Sequence, residues 1–392
     1  MSPGGTYNYS MDFVACCFWF CVALTAYTYF LYPILLGCLS VCFGHRRTVE
    51  PMACSVTFLL PVHNEETNLA RRLTELLAQI RTAQVSGEII VISDGSTDNS
   101  VAVAQSFADQ GVRVIAQPSK QGKAAALTAS AAIATGDILV FADARQRWAD
   151  DALARLLENF ADPKVGAASG DLVLESAPGV LAGVGLYWRF EKWMRKRESR
   201  LGSQVGVTGA ISACRRQLFT PIPPGTLLDD VFWPMHVALH GFRVVHDERA
   251  IAYDRLPDNP RDEFRRKVRT LAGNFQLLGR LPIAAFVPVR NPVWWQWISH
   301  KLCRLAVPWA LIGAFVSNFF LTGDLLTIFL YVQCVGYALG LLGMIPAIGQ
   351  RSRLLSAGAS FLVLNAAAWL AFWVWITGRA ERSWHKARYE TP

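Results

Sequence analysis

Four long stretches without a single Asp, Glu, Lys or Arg constrain this 392-residue chain more than any other feature: Phe13–Gly44, Leu305–Gly323, Leu325–Gln350 and Leu354–Gly378. A helix needs about 20 apolar residues to cross a hydrocarbon core roughly 30 Å thick, and all four are near or above that length. They lie at the two ends of the chain, and the charged residues gather between them. The pattern predicts an N-terminal anchor over residues 1–51, a water-facing domain over 52–280, and an interfacial helix plus about three membrane helices over 281–392. The first stretch is too long for the core of a cleaved signal peptide and lacks a basic residue before it. It reads as one tilted or kinked helix, bent near Pro33.

Flanking charge sets the expected orientation. No Lys or Arg precedes the first stretch, and His45, Arg46 and Arg47 follow it. The positive-inside tendency puts the central domain in the cytoplasm, at what we read as a bacterial inner (plasma) membrane. The acidic connection at Asp324 and the basic one at Arg351–Arg353 agree with outside and inside. The tail does not: three C-terminal crossings would make it external, yet it carries Arg379, Arg382, Lys386 and Arg388. Either Leu281–His300 is re-entrant or one later segment does not span.

The net charge of +8 comes partly from these flanks and from the run Arg189–Arg200. No nucleic-acid module accompanies it, so lipid headgroups and nucleotide phosphates account for it better than nucleic acid does. Of nine cysteines, seven sit in or beside the apolar stretches, and only Cys54 and Cys214 lie in the domain. Without a CxxC-type pairing they read as small buried hydrophobes.

The middle of the chain alternates strand and helix signals. Ser55–Val62 fits a buried strand, and an amphipathic helix with Leu69, Leu73, Leu76, Leu77 and Ile80 on one side opens after Asn64-Glu65-Glu66. Glu88–Ser93, Val112–Ala116 and Asp137–Ala142 read as further strands and Ala124–Ala134 as a helix. The implied fold is α/β with a mostly parallel, Rossmann-like sheet. Ligands of such sheets bind beyond the carboxyl ends of the strands. Carboxylates or amides follow Leu60, Ser93 and Ala142, all at that edge.

Each polar group there has two readings. Asp94 is either an Asx-turn residue or an acceptor for a base or ribose. Lys123, at a helix start, is a common surface residue or the partner of a diphosphate. Asp143 is a strand-end acid that can ligate a hard divalent cation, since Mg²⁺ often takes only one or two protein carboxylates. Asp229-Asp230 is either a pair of helix caps or a source of general base.

Taken in order, Pro61-Val62-His63-Asn64-Glu65-Glu66, Ser93-Asp94-Gly95-Ser96-Thr97-Asp98, Gly122-Lys123, Asp143-Ala144-Arg145, Thr208-Gly209-Ala210, Asp229-Asp230 and Gly241-Phe242-Arg243 resemble family 2 glycosyltransferases. The similarity covers roughly 52–280, and the flanking segments resemble that family's membrane-bound hyaluronan-, chitin- and cellulose-synthase-like branch. The resemblance implies a GT-A fold and inverting transfer from a nucleotide sugar, UDP-linked, to a glycan acceptor. It also implies roles: Pro61, Val62, Glu65 and Asp94 around the nucleoside, Lys123 at the diphosphate, and Asp143 binding it through Mg²⁺ or Mn²⁺. Thr208, Gly209 and Ala210 would line the sugar and acceptor pocket, with Asp230 as general base beside Asp229.

Three departures stand out. The family's Asp-x-Asp metal motif ends in Arg145, whose fork suits direct phosphate contact. Asp229 replaces the usual Glu. The Gln-Gln/Arg-x-Arg-Trp motif of processive members reads Arg266-Lys267-Val268-Arg269-Thr270, without its Trp; Arg266 and Arg269 remain to meet the acceptor or the diphosphate. Two further readings compete: transfer of a single sugar to a lipid-linked acceptor, and a catalytically inactive partner of an export complex. Trp294, Trp295 and Trp297 fit an interfacial helix or the mouth of a channel.

Overall fold

The computed structural model describes residues 9–175, 182–255, 260–349 and 352–379. The N-terminal stretch is helical throughout: α1 (Tyr9–Ala26), a π-helical turn (Tyr27–Leu31) and α2 (Tyr32–Cys42). The irregularity falls before Pro33 rather than at it. A proline has no N–H to bond back to the carbonyl of Tyr29, so the ladder reopens one turn upstream.

β1 (Ser55–Val62), β2 (Ser86–Asp94), β3 (Val112–Gln117), β4 (Ile138–Ala142), β5 (Arg147–Trp148), β6 (Val165–Glu175), β7 (Ile211–Arg215) and β8 (Arg243–Arg255) form one sheet in the order β3-β2-β1-β4-β7-β6-β8-β5. β3, β2, β1 and β4 run parallel, β7 opposes both its neighbours, and β6 pairs parallel with β8. Successive side chains of a strand point to opposite faces. In β1 both faces are covered, which is why the strand reads as a continuous apolar run. Phe58 and Leu60 pack with Leu69, Leu73 and Leu76, while Leu59 packs on the other side with Ala126 and Leu127.

The covering helices are α3 (Glu66–Thr82), α4 (Ser100–Gln105), α5 (Lys123–Ile133), α6 (Ala152–Leu157), α7 (Ala182–Leu201), α8 (Asp229–Leu239) and α9 (Pro260–Arg280). Then come α10 (Trp294–Gln296), a π-helical turn (Trp297–Leu302), α11 (Cys303–Asn318), α12 (Asp324–Gly343), α13 (Pro346–Gly349) and α14 (Arg353–Ile376). The early strands and helices fall within two residues of their predicted bounds. β5–β8 and α7 had no comparable signal.

In Leu281–His300, Ala285, Val293 and Trp297 are buried in the same core as Leu59 and Trp233, so this segment packs on the domain. Trp297 is therefore a core residue rather than an interfacial or channel ring, whereas Trp295 donates from Nε1 to Tyr27 Oη at 3.0 Å. Among the described residues, three helical segments are long and apolar enough to cross a membrane: Met11–Cys42, Asp324–Gly343 and Leu354–Ile376. α11, which continues the helical run from Trp294, is not among them. Arg382, Lys386 and Arg388 lie outside the described residues. All nine cysteines are free thiols.

Candidate active site

The parallel register brings the ends of β1, β2, β3 and β4 to one edge, pairing Val62 with Ser93, Asp94 with Gln117 and Leu59 with Phe141. Because β7 runs against β4 with Ala142 opposite Ile211, the chain just before β7 (Thr208-Gly209-Ala210) arrives beside Asp143. Sheet topology thus gathers groups that are more than a hundred residues apart.

Asp94 is 3% exposed and its two oxygens accept from the backbone N–H groups of Gln121, at 2.5 Å, and Gly122, at 2.9 Å. Its carboxylate shapes the loop ahead of α5. Gly95 (φ 63°) lies against that loop: a Cβ there would sit 2.6 Å from the backbone nitrogen of Lys120. Glu65 accepts from Asn68 Nδ2 at 2.9 Å, and His63 Nδ1 is 2.8 Å from the carbonyl of Asp94. Val62 does not present its side chain at the edge. It is 3% exposed and belongs to the core with Leu69 and Leu73, because alternation turns it inward; Pro61 is half-buried beside it.

Lys123 opens α5 and donates from Nζ to Asp143 Oδ1 at 2.8 Å, with Asp229 Oδ2 at 3.9 Å. Burial alone would lower its pKa, but the charges of Asp143, Asp229 and Asp230 outweigh it and hold the ammonium above its usual value. Gly209 leaves the space between them open: a Cβ there would lie 3.4 Å from Lys123 Nζ and 3.9 Å from Asp230 Cβ. Asp229 and Asp230 form the first turn of α8, where the helix dipole tolerates acids. Burial, then the charge of Asp229, raises Asp230 to about 6, against the opposing pull of Lys123, Arg195 and Lys301. Burial likewise raises Asp229, with Lys123 pulling it back.

Arg145 lies away from this cluster. Its fork holds Asp254 through Nε at 3.1 Å and Nη2 at 2.7 Å, and Gln146 reaches the same carboxylate at 3.2 Å. The pairing follows from β5 lying on β8, with Arg147 opposite Tyr253. Arg266 also turns away, with Nε and Nη2 donating to Glu263 of its own helix at 2.8 and 3.1 Å. Arg269 stays near enough to Asp229 to lower its pKa. The residues that sequence reasoning missed come from α7 and the turn before α11. Arg195 donates to Thr208 Oγ1 at 3.1 Å, and Arg195 and Lys301 line a cavity of about 60 Å³ together with Asp230 and Thr270. The basic run Arg189–Arg200 was the available signal, but helical position alone did not separate its inward from its outward members.

Among the described residues no group of three or more His, Cys, Asp or Glu side chains is arranged to hold a metal ion. A cation held by one carboxylate plus phosphate oxygens and water needs no such group. Asp143 fits that requirement, since its side chain is one-third exposed at the strand edge, with Lys123 already fixing one oxygen.

The mostly parallel sheet with one reversed strand beside β4, and acids at its carboxyl edge, is the GT-A fold. Residues 57–220, within the central domain, match the model of the family described as "Glycosyl transferase family 2". Over 234 residues the chain is 24% identical to the poly-beta-1,6-N-acetyl-D-glucosamine synthase of Staphylococcus aureus (strain COL), covering 57% of this chain and 56% of that protein. The Staphylococcus epidermidis protein of the same name is 23% identical over the same shares. The chain thus matches little more than half the length of these curated relatives. In structure, the mannosyltransferase PcManGT from Pyrobaculum calidifontis, solved in complex with GDP-Man and Mn2+, superposes with a TM-score of 0.70 at 21% identity, over 92% of this chain and 98% of that one. The likeness therefore extends into the apolar helices.

Proposed function

We propose that this membrane protein transfers a sugar, with inversion, from a nucleotide sugar of the UDP class to a glycan acceptor, in the synthesis of an extracellular or capsular polysaccharide. The observation that carries the reading is Asp230, a carboxyl raised to about 6 and set across the Gly209 gap from the Lys123–Asp143 pair. A base of that strength is matched to work near neutral pH. In the step proposed, the acceptor hydroxyl gives its proton to Asp230 while its oxygen bonds to the anomeric carbon. The bond from that carbon to the nucleotide's terminal phosphate oxygen breaks, and the electron pair leaves with the diphosphate. Lys123 stabilises the charge that develops there. A divalent cation, Mg²⁺ or Mn²⁺, held by Asp143 would supply further positive charge at the diphosphate. Asp94 shapes the nucleoside edge through the loop it holds, and Thr208, Gly209 and Ala210 bound the sugar pocket.

The proposed topology keeps the domain in the cytoplasm. Supporting it, Phe275 of α9 stacks on Trp375 at 5.6 Å, so the end of α14 sits on the domain's side. Two C-terminal crossings, α12 and α14, return the tail to that side and accommodate its basic residues.

The reading is tested on the purified full-length protein with radiolabelled UDP-sugars and Mg²⁺ or Mn²⁺, the products being sized. Label in a high polymer or ladder is the expected result, and release of free sugar alone overturns the transferase assignment. Transfer of one sugar to a lipid-linked acceptor is the second reading. It is favoured by the missing Trp after Arg269 and by the narrow cavity beside Asp230; a single labelled lipid product selects it.

A further inference from the structure

Beneath the sugar pocket lies a buried cation that the transfer step does not use. Arg72 of α3 is fully buried, and among the described residues its Nε and Nη2 have no hydrogen-bond partner; Nη1 is engaged on Glu75. Burial lowers its pKa to about 10, against the pull of Glu75 and Asp143. A buried charge so thinly paired is costly, and an apolar side chain of similar volume is often a neutral or stabilising replacement. Its loss would not strand Glu75, which also takes the backbone N–H of Trp148 at 2.7 Å and the guanidinium of Arg71 at 3.2 Å.

What the cation meets is an indole. The guanidinium carbon of Arg72 stands 4.9 Å from the centre of the Trp148 ring, within cation–π reach, and the Phe58 ring lies 5.7 Å from the same indole. The ring so held donates from Nε1 to the carbonyl of Ala210 at 3.0 Å. The other end of that peptide unit, the N–H of Ile211, donates to the carbonyl of Thr208 at 3.1 Å. The turn over residues 208–211 is therefore fixed at both ends of one peptide, and it carries Gly209. A Cβ at Gly209 would lie between Lys123 Nζ and Asp230 Cβ, so the set of this turn decides how far apart those two groups stand. Asp94, at the nucleoside edge, is held by a different set, the amides of Gln121 and Gly122.

We propose that Arg72 is a positioning residue for sugar transfer: it steadies the Trp148 indole, which through the Ala210 carbonyl sets the Gly209 turn between Lys123 and Asp230. The proposal rests on the sugar-transfer reading above and adds two residues to it that touch neither donor nor acceptor.

The test measures UDP affinity and turnover separately on the purified full-length protein, with the radiolabelled UDP-sugars of the transfer assay as donors. Trp148→Phe keeps a ring and deletes the Nε1 donor; Arg72→Met keeps the bulk and deletes the charge. Each is expected to lower kcat about tenfold or more, since a misplacement of about 1 Å can cost roughly 10²-fold, while the Kd for UDP stays within about twofold. Arg72→Lys, which keeps a cation over the ring, should stay nearer the parent. The double variant should turn over no more slowly than the slower single one, because Arg72 acts through Trp148. The Tm of Arg72→Met should be unchanged or raised. Additive losses overturn the proposal, as does an Arg72→Met protein as fast as Arg72→Lys. Weakened UDP binding with a lowered Tm in both single variants also overturns it, since the role is then structural support alone. Absence of turnover in the parent protein refutes the transferase reading and takes the proposal with it, whereas the other failures leave that reading standing.

Discussion

The two sides of the site are built differently. On the proposed donor side, Asp94 reaches Gln121 and Lys123 reaches Asp143, pairs 27 and 20 residues apart within successive strand–helix units. On the side facing the apolar helices, Glu191 meets His300 across 109 residues, and Tyr32 meets Glu198 across 166. The first is assembled by local crossovers that any parallel sheet makes. The second exists only where the domain packs on the apolar helices. Disrupting the first should damage nucleotide binding in a folded protein, whereas disrupting the second should loosen the junction itself.

The sharpest break is expected at Asp230, where both sides meet. Asp230→Asn should lower transfer by about 10²- to 10⁴-fold. In the parent protein the rate should climb with pH up to about 6 and then level, because only the ionised carboxylate accepts the proton. Stability should move the opposite way. A carboxyl raised from its ordinary value of about 3.9 binds more protons folded than unfolded, so stability falls as pH rises from about 4 to 6 and stays reduced above that. Asp230→Asn should therefore raise Tm at pH 7.5, and a lowered Tm would remove burial as the cause of the raised pKa.

Lys123→Ala comes next. It deletes a charge-assisted bond of a kind worth about 1.5–3 kcal/mol, so donor KM should rise roughly tenfold or more with little change in acceptor KM. An equal rise in both constants would erase the distinction between the two sides. Arg145→Ala should act on folding more than on turnover. It strands Asp254, which is 4% exposed, and should cost about 2–4 kcal/mol in denaturant unfolding while leaving the metal dependence of donor binding in place. Loss of that dependence at unchanged stability would return Arg145 to the phosphates. Arg266→Ala should be smallest, at about 0.3–0.5 kcal/mol and less than twofold in rate, since its partner Glu263 lies one turn back on the same helix. A rate loss above tenfold would show that Arg266 leaves Glu263 during the reaction.

Much of the donor side was legible in the chain. Strand-end acids are readable because a parallel sheet puts every such position on one edge, and Asp94, Asp143 and Asp229-Asp230 all fall there or on the helix beside it. The inward turn of the Val62 side chain was not legible, for an equally physical reason. Motif membership does not say which face of a strand a residue takes, and the alternation along β1 turned it into the core. Leu281–His300 looked like a membrane-interface segment because its tryptophans and prolines are common to interfaces and cores alike.

By itself the sequence determined which segments can enter a membrane, the order of strands and helices up to β4, and the acids that close those strands. These properties depend on neighbours along the chain, through charge-free length, periodicity and the position of a residue after an apolar run. Tertiary structure alone decided that Arg145 neutralises Asp254, that Trp297 is buried in the core, and that Arg195 and Lys301 stand behind Asp230. Each of these depends on which distant segment packs alongside, a choice settled by burial over the whole domain. Three of the four charge-free stretches therefore supplied helices long and apolar enough to cross a membrane, and the fold decided how the domain between them brings Asp230 up to their junction.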